Sequence, residues 1–427
     1  MKYKYFALID DVVIKSSALF PYFLYAVAVV IKGNIITFAW PFILGYTAGQ
    51  VAPFLIDEKI DKNWPKSYRT LSLVSLVAVF SASVGIYLRW EWLASIGAMG
   101  LSLSVTGLSS LSDNKHYKIN FKRIDTFAAI LVSINLLILG FLAIKISVVS
   151  AYIAYAVLLL AESIGIFKHY KIVKTNIKWH LFNTSTRSAK VTIAVFVGVF
   201  IISIFKRIGY FSDVSWFFLF ISIIYILVLL NQFLHQRFKL LRIWIGAVRN
   251  YLIIFTIILA FQIHQNLWIF LIFIELAFAG IFVKFIQRIL NYWLPIYQFY
   301  ITMALVDILL VLMVYDKFYL LITWIILILL INLTVIANQK LPIVKTGIKS
   351  KIKVLGGLIS QAVLFSVLQL VAQINLKNRI ALVTPYIMHQ QDLKYGSEMI
   401  LVRIVMAALF ILTGIGITIY DHRQLKR

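Results

Sequence analysis

Long apolar runs dominate this sequence, and they constrain its fold more than any other feature. A helix needs roughly 20 apolar residues to cross a hydrocarbon core about 30 Å thick. The runs are continuous and lack the alternation of apolar and polar residues that marks membrane β-barrel strands. Fourteen candidate spans cover residues 12–31, 34–56, 70–88, 92–112, 125–144, 146–167, 190–206, 214–235, 244–263, 266–284, 294–314, 318–336, 354–373 and 398–420.

The composition supports the same fold class. Hydrophobic residues make up 62% of the 427-residue chain and charged residues only 13%, whereas soluble domains carry about 25% charged residues. We therefore predict an all-α polytopic membrane protein with about fourteen transmembrane helices. Span 190–206 is short, and spans 244–263 and 266–284 almost touch, so that a count of twelve stays open.

Basic residues outnumber acidic residues by 41 to 16, a formal net charge of +25. Nucleic-acid binding would need a soluble basic face, and the apolar runs leave none. Cytoplasmic loops of membrane proteins collect Lys and Arg. With the N-terminus inside and alternating helices, the inside segments hold 29 basic residues and the outside segments 9. We predict both termini in the cytoplasm, a bacterial cytoplasmic membrane, and contact of the basic loops with anionic lipid.

Two longer inside loops, 168–189 and 337–353, divide the predicted helices six, six and two. Transporters are commonly built from repeats of this size. A seven-plus-seven division with inverted repeats is the alternative. We expect a six-helix bundle over 1–167, a cytoplasmic linker over 168–189, a second six-helix bundle over 190–336, and a basic loop with an additional helix pair over 337–427.

The sequence lacks the residues that several kinds of catalytic or metal site require. No glycine-rich stretch ends in Gly-Lys-Ser/Thr, so the sequence has no P-loop for ATP hydrolysis. The chain contains no cysteine, which excludes thiolate metal sites, iron–sulfur clusters and cysteine nucleophiles. No two histidines pair at helical spacing with a carboxylate, as a zinc site would require. We expect neither a metal nor a cofactor.

The segment from Gly49 to Arg69 follows the second predicted helix and reads GQVAPFLIDEKIDKNWPKSYR. Together with six helices, a basic inside loop and six more helices, it resembles the major facilitator superfamily, which keeps a glycine, an aspartate and a basic cluster between helices two and three. Pro53 stands where that family has its first glycine. The resemblance implies a transporter fold and gives Asp57 a role at an inside gate. The basic cluster is matched by Lys59, Lys62, Lys66 and Arg69.

Ionisable side chains inside the apolar runs are the candidate functional residues. Each costs at least about 2.5–3.5 kcal/mol in the membrane, so such residues tend to face a cavity and to act in transport. Apolar surroundings favour the neutral form of a carboxyl group, which suits proton uptake and release. Glu162, Glu275 and Asp307 are the acidic candidates, with structural carboxyl groups as the alternative. Arg403 could pair with Asp307, bind a substrate anion, or extend to the membrane surface.

Three glutamines, Gln361, Gln369 and Gln373, recur along the span 354–373. Amides in lipid need partners, so this side of the helix should point inward. The glutamines are candidates for the wall of a substrate cavity, and interhelical hydrogen bonds are the equally weighted alternative.

Small residues and tryptophans suggest structural roles. Gly97 and Gly100, like Gly45 in the second span, predict close helix packing rather than binding. Trp268 lies near a span end, where tryptophans anchor helices at the membrane interface.

Together these features predict a secondary active transporter that moves a small or amphipathic solute by alternating access, with proton coupling, rather than an enzyme. A flippase or polymerase for a lipid-linked envelope polysaccharide is the alternative, and a non-transporting membrane subunit or immunity protein is a further one. The expected partners are membrane lipid and a small-molecule or lipid-linked substrate. The sequence does not give the oligomeric state.

The predicted orientation can be tested by labelling, because the chain has no native cysteine. Single cysteines at Ser112 and Ser188 should react with an impermeant maleimide only in inverted vesicles. A cysteine at Asn378 should react in intact cells. The opposite labelling pattern would overturn the arrangement with both termini inside.

Overall fold

The structure, a computed structural model, is all-helical in the part of the chain that it describes, which confirms the predicted fold class there. Helices and turns account for the regular structure of these residues, with no β-strand among them. Asp57, the predicted span 214–235 and most of spans 12–31 and 190–206 lie outside the described residues. The described residues are 12–13, 16, 36–55, 64–112, 124–169, 196–197, 199–200, 239–262, 266–293, 298–314, 318–340, 346–378, 381–382 and 396–425.

Eleven helices lie within the described ranges, and most are joined by short connections. They are α1 (Ile36–Leu55), α2 (Trp64–Leu88), α3 (Glu91–Ser112), α4 (Ile124–Lys145), α5 (Val148–His169), α6 (Lys239–Gln262), α7 (Asn266–Trp293), α8 (Gln298–Leu312), α9 (Tyr319–Lys340), α10 (Thr346–Leu376) and α11 (Gly396–Leu425).

Five of these helices are long and apolar enough to cross a membrane, judged by length and composition. Each apolar stretch differs from the corresponding predicted span by at most four residues at either end. The total number of spans and their orientation stay predictions. The five stretches are Thr70–Leu88, Leu240–Ala260, Tyr319–Ala337, Val354–Leu376 and Gly396–Ile419.

Some helices extend beyond the apolar runs that predicted them. Helix α7 continues to Trp293, and α10 begins at Thr346, eight residues before the predicted start. Apolar periodicity detects only the part of a helix that meets lipid. Lys, Arg and Gln are good helix formers, and their long side chains reach the membrane surface. Basic residues expected in loops, such as Arg288, therefore lie on helix ends.

The chain divides into two compact units. The first comprises Met1–Ile208 with Lys345–Lys351, and the second comprises Gly209–Val344 with Ile352–Arg427. Helices α1 to α5 belong to the first unit, and α6 to α9 and α11 belong to the second.

Small residues pack the first unit. Helix α3 packs closely against α1 and α2. A Cβ atom added at Gly97 would collide with the backbone nitrogen of Ala82 and lie 2.7 Å from the carbonyl oxygen of Ala78. A Cβ atom at Gly45 would lie 3.2 Å from Ala98. The predicted close-packing role of these glycines is confirmed, because a side chain at either position would separate the helices.

The α2–α3 turn closes within two residues. The Trp90 amide donates to the Gly85 carbonyl at 2.8 Å and the Arg89 amide to the Ile86 carbonyl at 3.4 Å, the bond pattern of a Schellman motif. Arg89 takes the left-handed position that usually holds glycine, with φ 57°. This turn satisfies the last carbonyl groups of α2 without a longer loop.

The second unit is built on α6. Every residue from Leu241 to Val248 is buried, and α6 packs against α7, α9 and α11. The Trp244 Nε1 group donates to the Phe410 carbonyl of α11 at 3.0 Å. A Cβ atom at Gly356 of α10 would collide with the Ile243 carbonyl oxygen, so α10 also approaches α6 closely.

We expect Gly97→Ala to destabilise the protein by about 1–3 kcal/mol, the usual cost of overpacking. Gly416→Ala is the matched control, since a Cβ atom there meets no atom within 4 Å. Alanine favours a helix over glycine by up to about 1 kcal/mol, so the control should be neutral or stabilising. Thermal unfolding in detergent measures both, and equal melting temperatures would contradict the packing role of Gly97.

Candidate functional site

Most of the predicted functional residues lie in the second unit. Glu275 lies on α7, Asp307 on α8 and Arg403 on α11, while Gln361, Gln369 and Gln373 lie on α10. Glu162 lies on α5 of the first unit, and its side chain is outside the described part of the structure. The second unit is therefore where the candidate chemistry can be examined.

Arg403 is almost completely buried, with 1% of its surface exposed. Its Nη1 group donates to the Met313 carbonyl oxygen, just beyond the end of α8, at 3.2 Å. Its guanidinium group lies 5.7 Å from the ring centroid of Tyr319, within the range of a cation–π interaction. The side chain is thus held inside the bundle rather than extended to the membrane surface.

Tyr319, the first residue of α9, connects several parts of this region. Its hydroxyl lies 2.9 Å from the Thr256 Oγ1 atom. Thr256 donates its only hydroxyl proton to the Leu252 carbonyl at 2.6 Å, so Tyr319 must be the donor in the bond between the two hydroxyls. The Tyr319 ring also stacks on Trp268, with centroids 5.5 Å apart and planes 4° apart.

Tyr251 of α6 lies beside this group and is fully buried. Its hydroxyl is close enough to Arg403 and Tyr319 for electrostatic interaction. The hydroxyl has no hydrogen-bond partner among the described residues. Buried polar groups nearly always have one, so this hydroxyl is one of the exceptions among the described residues. We call Tyr251, Tyr319, Trp268 and Arg403 the Arg403 cluster.

Glu275 lies on the same face of α7 as Trp268, since seven residues make almost two full turns. It is half-buried and close enough to Tyr319 to interact with it electrostatically. Its Oε2 atom is buried and accepts no hydrogen bond within the described part of the chain. Glu275 therefore lies at the edge of the Arg403 cluster with an unsatisfied carboxyl oxygen.

Asp307 occupies a different position, between α8 and α11. A Cβ atom at Gly414 would lie 3.3 Å from both the Asp307 Oδ1 atom and the Trp244 ring, and 3.4 Å from the Met303 methyl group. The Oδ1 atom is buried without a hydrogen-bond partner among the described residues. Asp307 is not bonded to Arg403. The two are held by different neighbours.

The glutamines of α10 are placed differently from one another. Gln361 is buried and donates from Nε2 to the Asn250 Oδ1 atom of α6 at 3.2 Å. Gln369 is also buried, and neither amide atom has a hydrogen-bond partner among the described residues. Gln373 is exposed at the end of the helix. The structure thus gives Gln361 an interhelical bond, and the cavity-wall role of all three stays a prediction.

Sequence reasoning did not single out Tyr251, Thr256, Tyr319 or Asn250. A hydroxyl or amide inside an apolar run is a usable signal, because it needs a partner in lipid. Tyr251 sits in the run NYLIIFTIILAF and carried that signal. Trp268 was expected only as an interfacial anchor, and its stacking on Tyr319 depends on a helix fifty residues further along the chain.

No protein-family model matches the sequence, and no curated protein matches it. Solved structures do match the fold. An auto-inhibited POT family peptide transporter has a TM-score of 0.55 and 9% identity, covering 98% of this chain and 97% of that chain. A peptide transporter POT in complex with sulfate has a TM-score of 0.54 and 10% identity, covering 98% and 94%.

A third structure concerns substrate recognition in proton dependent oligopeptide transporters. Its TM-score is 0.51 at 12% identity, and the match covers 98% of this chain and 99% of that chain. At such identities the likeness shows the fold alone. The chain thus shares the fold of these solved transporter structures, which agrees with the transporter fold that the sequence resemblance implied.

Asn250 supplies a test of how α6 and α10 are joined. Its Nδ2 group donates to the Gly357 carbonyl and to the Ser360 hydroxyl, each at 2.9 Å, and its Oδ1 atom accepts from Gln361. Interhelical hydrogen bonds average about 0.6 kcal/mol each, so Asn250→Ala should cost about 2 kcal/mol in thermal unfolding. Asn375→Ala, at an exposed position of α10, is the control. A variant as stable as the parent would show that these bonds do not join the helices.

Proposed function

We propose that this protein is a secondary active transporter of the cytoplasmic membrane, which moves a small or amphipathic solute by alternating access and couples the movement to protons. The observation that carries the proposal is a pair of carboxyl groups, Glu275 and Asp307, on apolar helices. Each has a buried oxygen without a hydrogen-bond partner among the described residues. The fold, which is shared with POT peptide transporters over 98% of the chain, supports it.

Proton coupling follows from the cost of an ionised carboxyl group in an apolar surrounding. Such a group binds a proton when it is enclosed and releases it when it meets water. Alternating access would expose it first to one side of the membrane and then to the other. Glu275 lies at the edge of the Arg403 cluster and Asp307 between α8 and α11, so the two carboxyl groups can respond to different conformational changes.

The solute is proposed only by class. Half-buried aromatic and acidic side chains lie together on α7, which suits a molecule with both apolar and polar parts. The similar structures include proton dependent oligopeptide transporters, so dialanine belongs in the first panel of solutes. Phenethylamine and 4-phenylbutyrate extend the panel to a cationic and an anionic amphiphile.

Proteoliposomes test the proposal with two readouts. The parent protein should accumulate at least one solute of the panel when the outside is acidified, and it should exchange that solute in counterflow without a gradient. The double variant Asp307→Asn with Glu275→Gln should lose at least tenfold of the gradient-driven uptake and keep counterflow. Removal of the titrating groups uncouples transport without closing the pathway.

Glu91→Gln is the control for this experiment, because Glu91 is an exposed carboxylate at the start of α3. It should leave both readouts unchanged. Gradient-driven uptake that survives both the double variant and a protonophore would refute the coupling. The absence of uptake and counterflow for every solute of the panel would refute transport of these solute classes.

A further inference from the structure

Helix α7 is longer than the hydrocarbon part of a membrane. Its 28 residues extend about 42 Å at 1.5 Å per residue, whereas the hydrocarbon core is about 30 Å thick and the bilayer with its headgroups about 40–45 Å. The helix begins two residues before Trp268 and ends at Trp293, and tryptophans are enriched at both membrane interfaces. The length and the two tryptophans fit a helix that extends from one headgroup layer to the other.

Arg288 falls at the boundary between hydrocarbon and headgroups in such a helix. The midpoint of α7 lies between residues 279 and 280, which places Arg288 roughly 13 Å from the middle of a core that ends at about 15 Å. Its side chain is exposed and has no hydrogen-bond or ion-pair partner among the residues that the structure describes. Residues 276–293 include no acidic residue. An anion from outside the chain can therefore reach this guanidinium group.

Apolar side chains lie next to Arg288 on the exposed side of the helix. Phe282, Phe285 and Ile289 are separated by three and four residues, which places them along one face, and Arg288 follows Phe285 by three residues. All three are exposed, Phe285 by 62%, while Val283 on the other side of the helix is buried. We call Phe282, Phe285, Arg288 and Ile289 the α7 stripe. A surface that is both apolar and cationic suits the level at which acyl chains meet headgroups.

The predicted orientation places the Trp293 end of α7 at the cytoplasmic side, where basic residues are attracted to anionic lipid. A zwitterionic headgroup carries its own ammonium group, which competes with Arg288 for the phosphate. An anionic headgroup leaves the phosphate free, and the planar guanidinium group matches its oxygen atoms with two parallel hydrogen bonds. An anionic lipid is therefore favoured over a zwitterionic one.

We propose that the α7 stripe binds an anionic phospholipid of the cytoplasmic leaflet. The lipid phosphate accepts hydrogen bonds from the Arg288 guanidinium group, and an acyl chain packs along Phe282 and Phe285. The site goes beyond the proposed transport function and does not depend on it.

Fluorescence quenching in vesicles measures which lipid contacts the stripe. The chain has no cysteine, so Ile289→Cys labelled with bimane places an apolar reporter next to Arg288. The full-length protein is reconstituted into phosphatidylcholine vesicles in which about one tenth of the lipid is brominated phosphatidylglycerol or, in parallel, brominated phosphatidylcholine. We expect phosphatidylglycerol to be preferred at the reporter by about fivefold, the effect of one basic residue near an anionic surface.

Variants assign the preference to Arg288. Arg288→Gln should abolish the preference and leave quenching by brominated phosphatidylcholine unchanged. Arg288→Lys keeps the charge without the forked geometry, so it should retain part of the preference. Raising sodium chloride from about 0.1 M to 1 M shortens the screening length from about 10 Å to 3 Å and should reduce the preference in the parent reporter.

A second reporter supplies the matched control. Ile153 is an exposed isoleucine of α5, and residues 146–161 around it include no charged residue. Bimane at Ile153→Cys should be quenched equally by the two brominated lipids, with or without Arg288→Gln. An altered fold in the Arg288→Gln variant would change the signal of both reporters, whereas loss of the lipid contact changes only the reporter on α7.

Four results would overturn the proposal. Equal quenching of the α7 reporter by the two lipids would exclude a preference for anionic lipid. A preference that survives Arg288→Gln would exclude Arg288 as the phosphate ligand. Inorganic phosphate that removes the preference at an ionic strength where sodium chloride does not would mean that a free anion occupies Arg288. Weak quenching by both lipids, together with oxidative cross-linking of Ile289→Cys between two chains, would mean that a second copy of the protein covers the stripe.

Discussion

Within the apolar part of a membrane, polar groups need their partners inside the protein, and this constraint shapes the described helices, with exceptions such as Tyr251, Glu275 and Asp307. Serine and threonine hydroxyls meet it locally by donating to the carbonyl four residues earlier. Thr47, Ser83 and Thr302 do so at 2.7 Å. A hydroxyl proton donated in this way needs no acceptor on a neighbouring helix. The larger polar side chains cannot be satisfied in this way, and they determine where helices must meet.

The helices of the two units are held together by different kinds of contact. In the described part of the first unit, glycine and alanine allow the backbones of α2 and α3 to approach until Gly97 touches Ala82 and Ala78. In the second unit, α6 is joined to its neighbours through polar side chains. Asn250 bonds to α10 and Trp244 to α11. Buried ionisable groups with described side chains concentrate in that second unit, so its packing and its candidate chemistry involve the same helices.

The sequence predicts the helices of this protein better than their contacts. Apolar runs located α9 and α11 to within a few residues, because a membrane span leaves a long one-dimensional signal. Residue type alone also drew attention to Glu275, Asp307 and Arg403. The neighbours of these residues were not predictable, since they depend on how each helix is rotated about its axis. Gln361 could equally have faced a cavity, and only the position of Asn250 gives it an interhelical partner.

The separation of Arg403 from Asp307 has a chemical consequence. The sequence allowed these two residues to pair, and an ion pair would have neutralised both charges and left neither able to bind a proton or an anion. Instead, Arg403 reaches the carbonyl of Met313, six residues beyond Asp307 and about 9 Å further along the α8 direction at 1.5 Å per residue. Asp307 lies against Gly414 of α11. Because the Asp307 Oδ1 atom is buried without a hydrogen-bond partner among the described residues, its carboxyl group stays available to a proton.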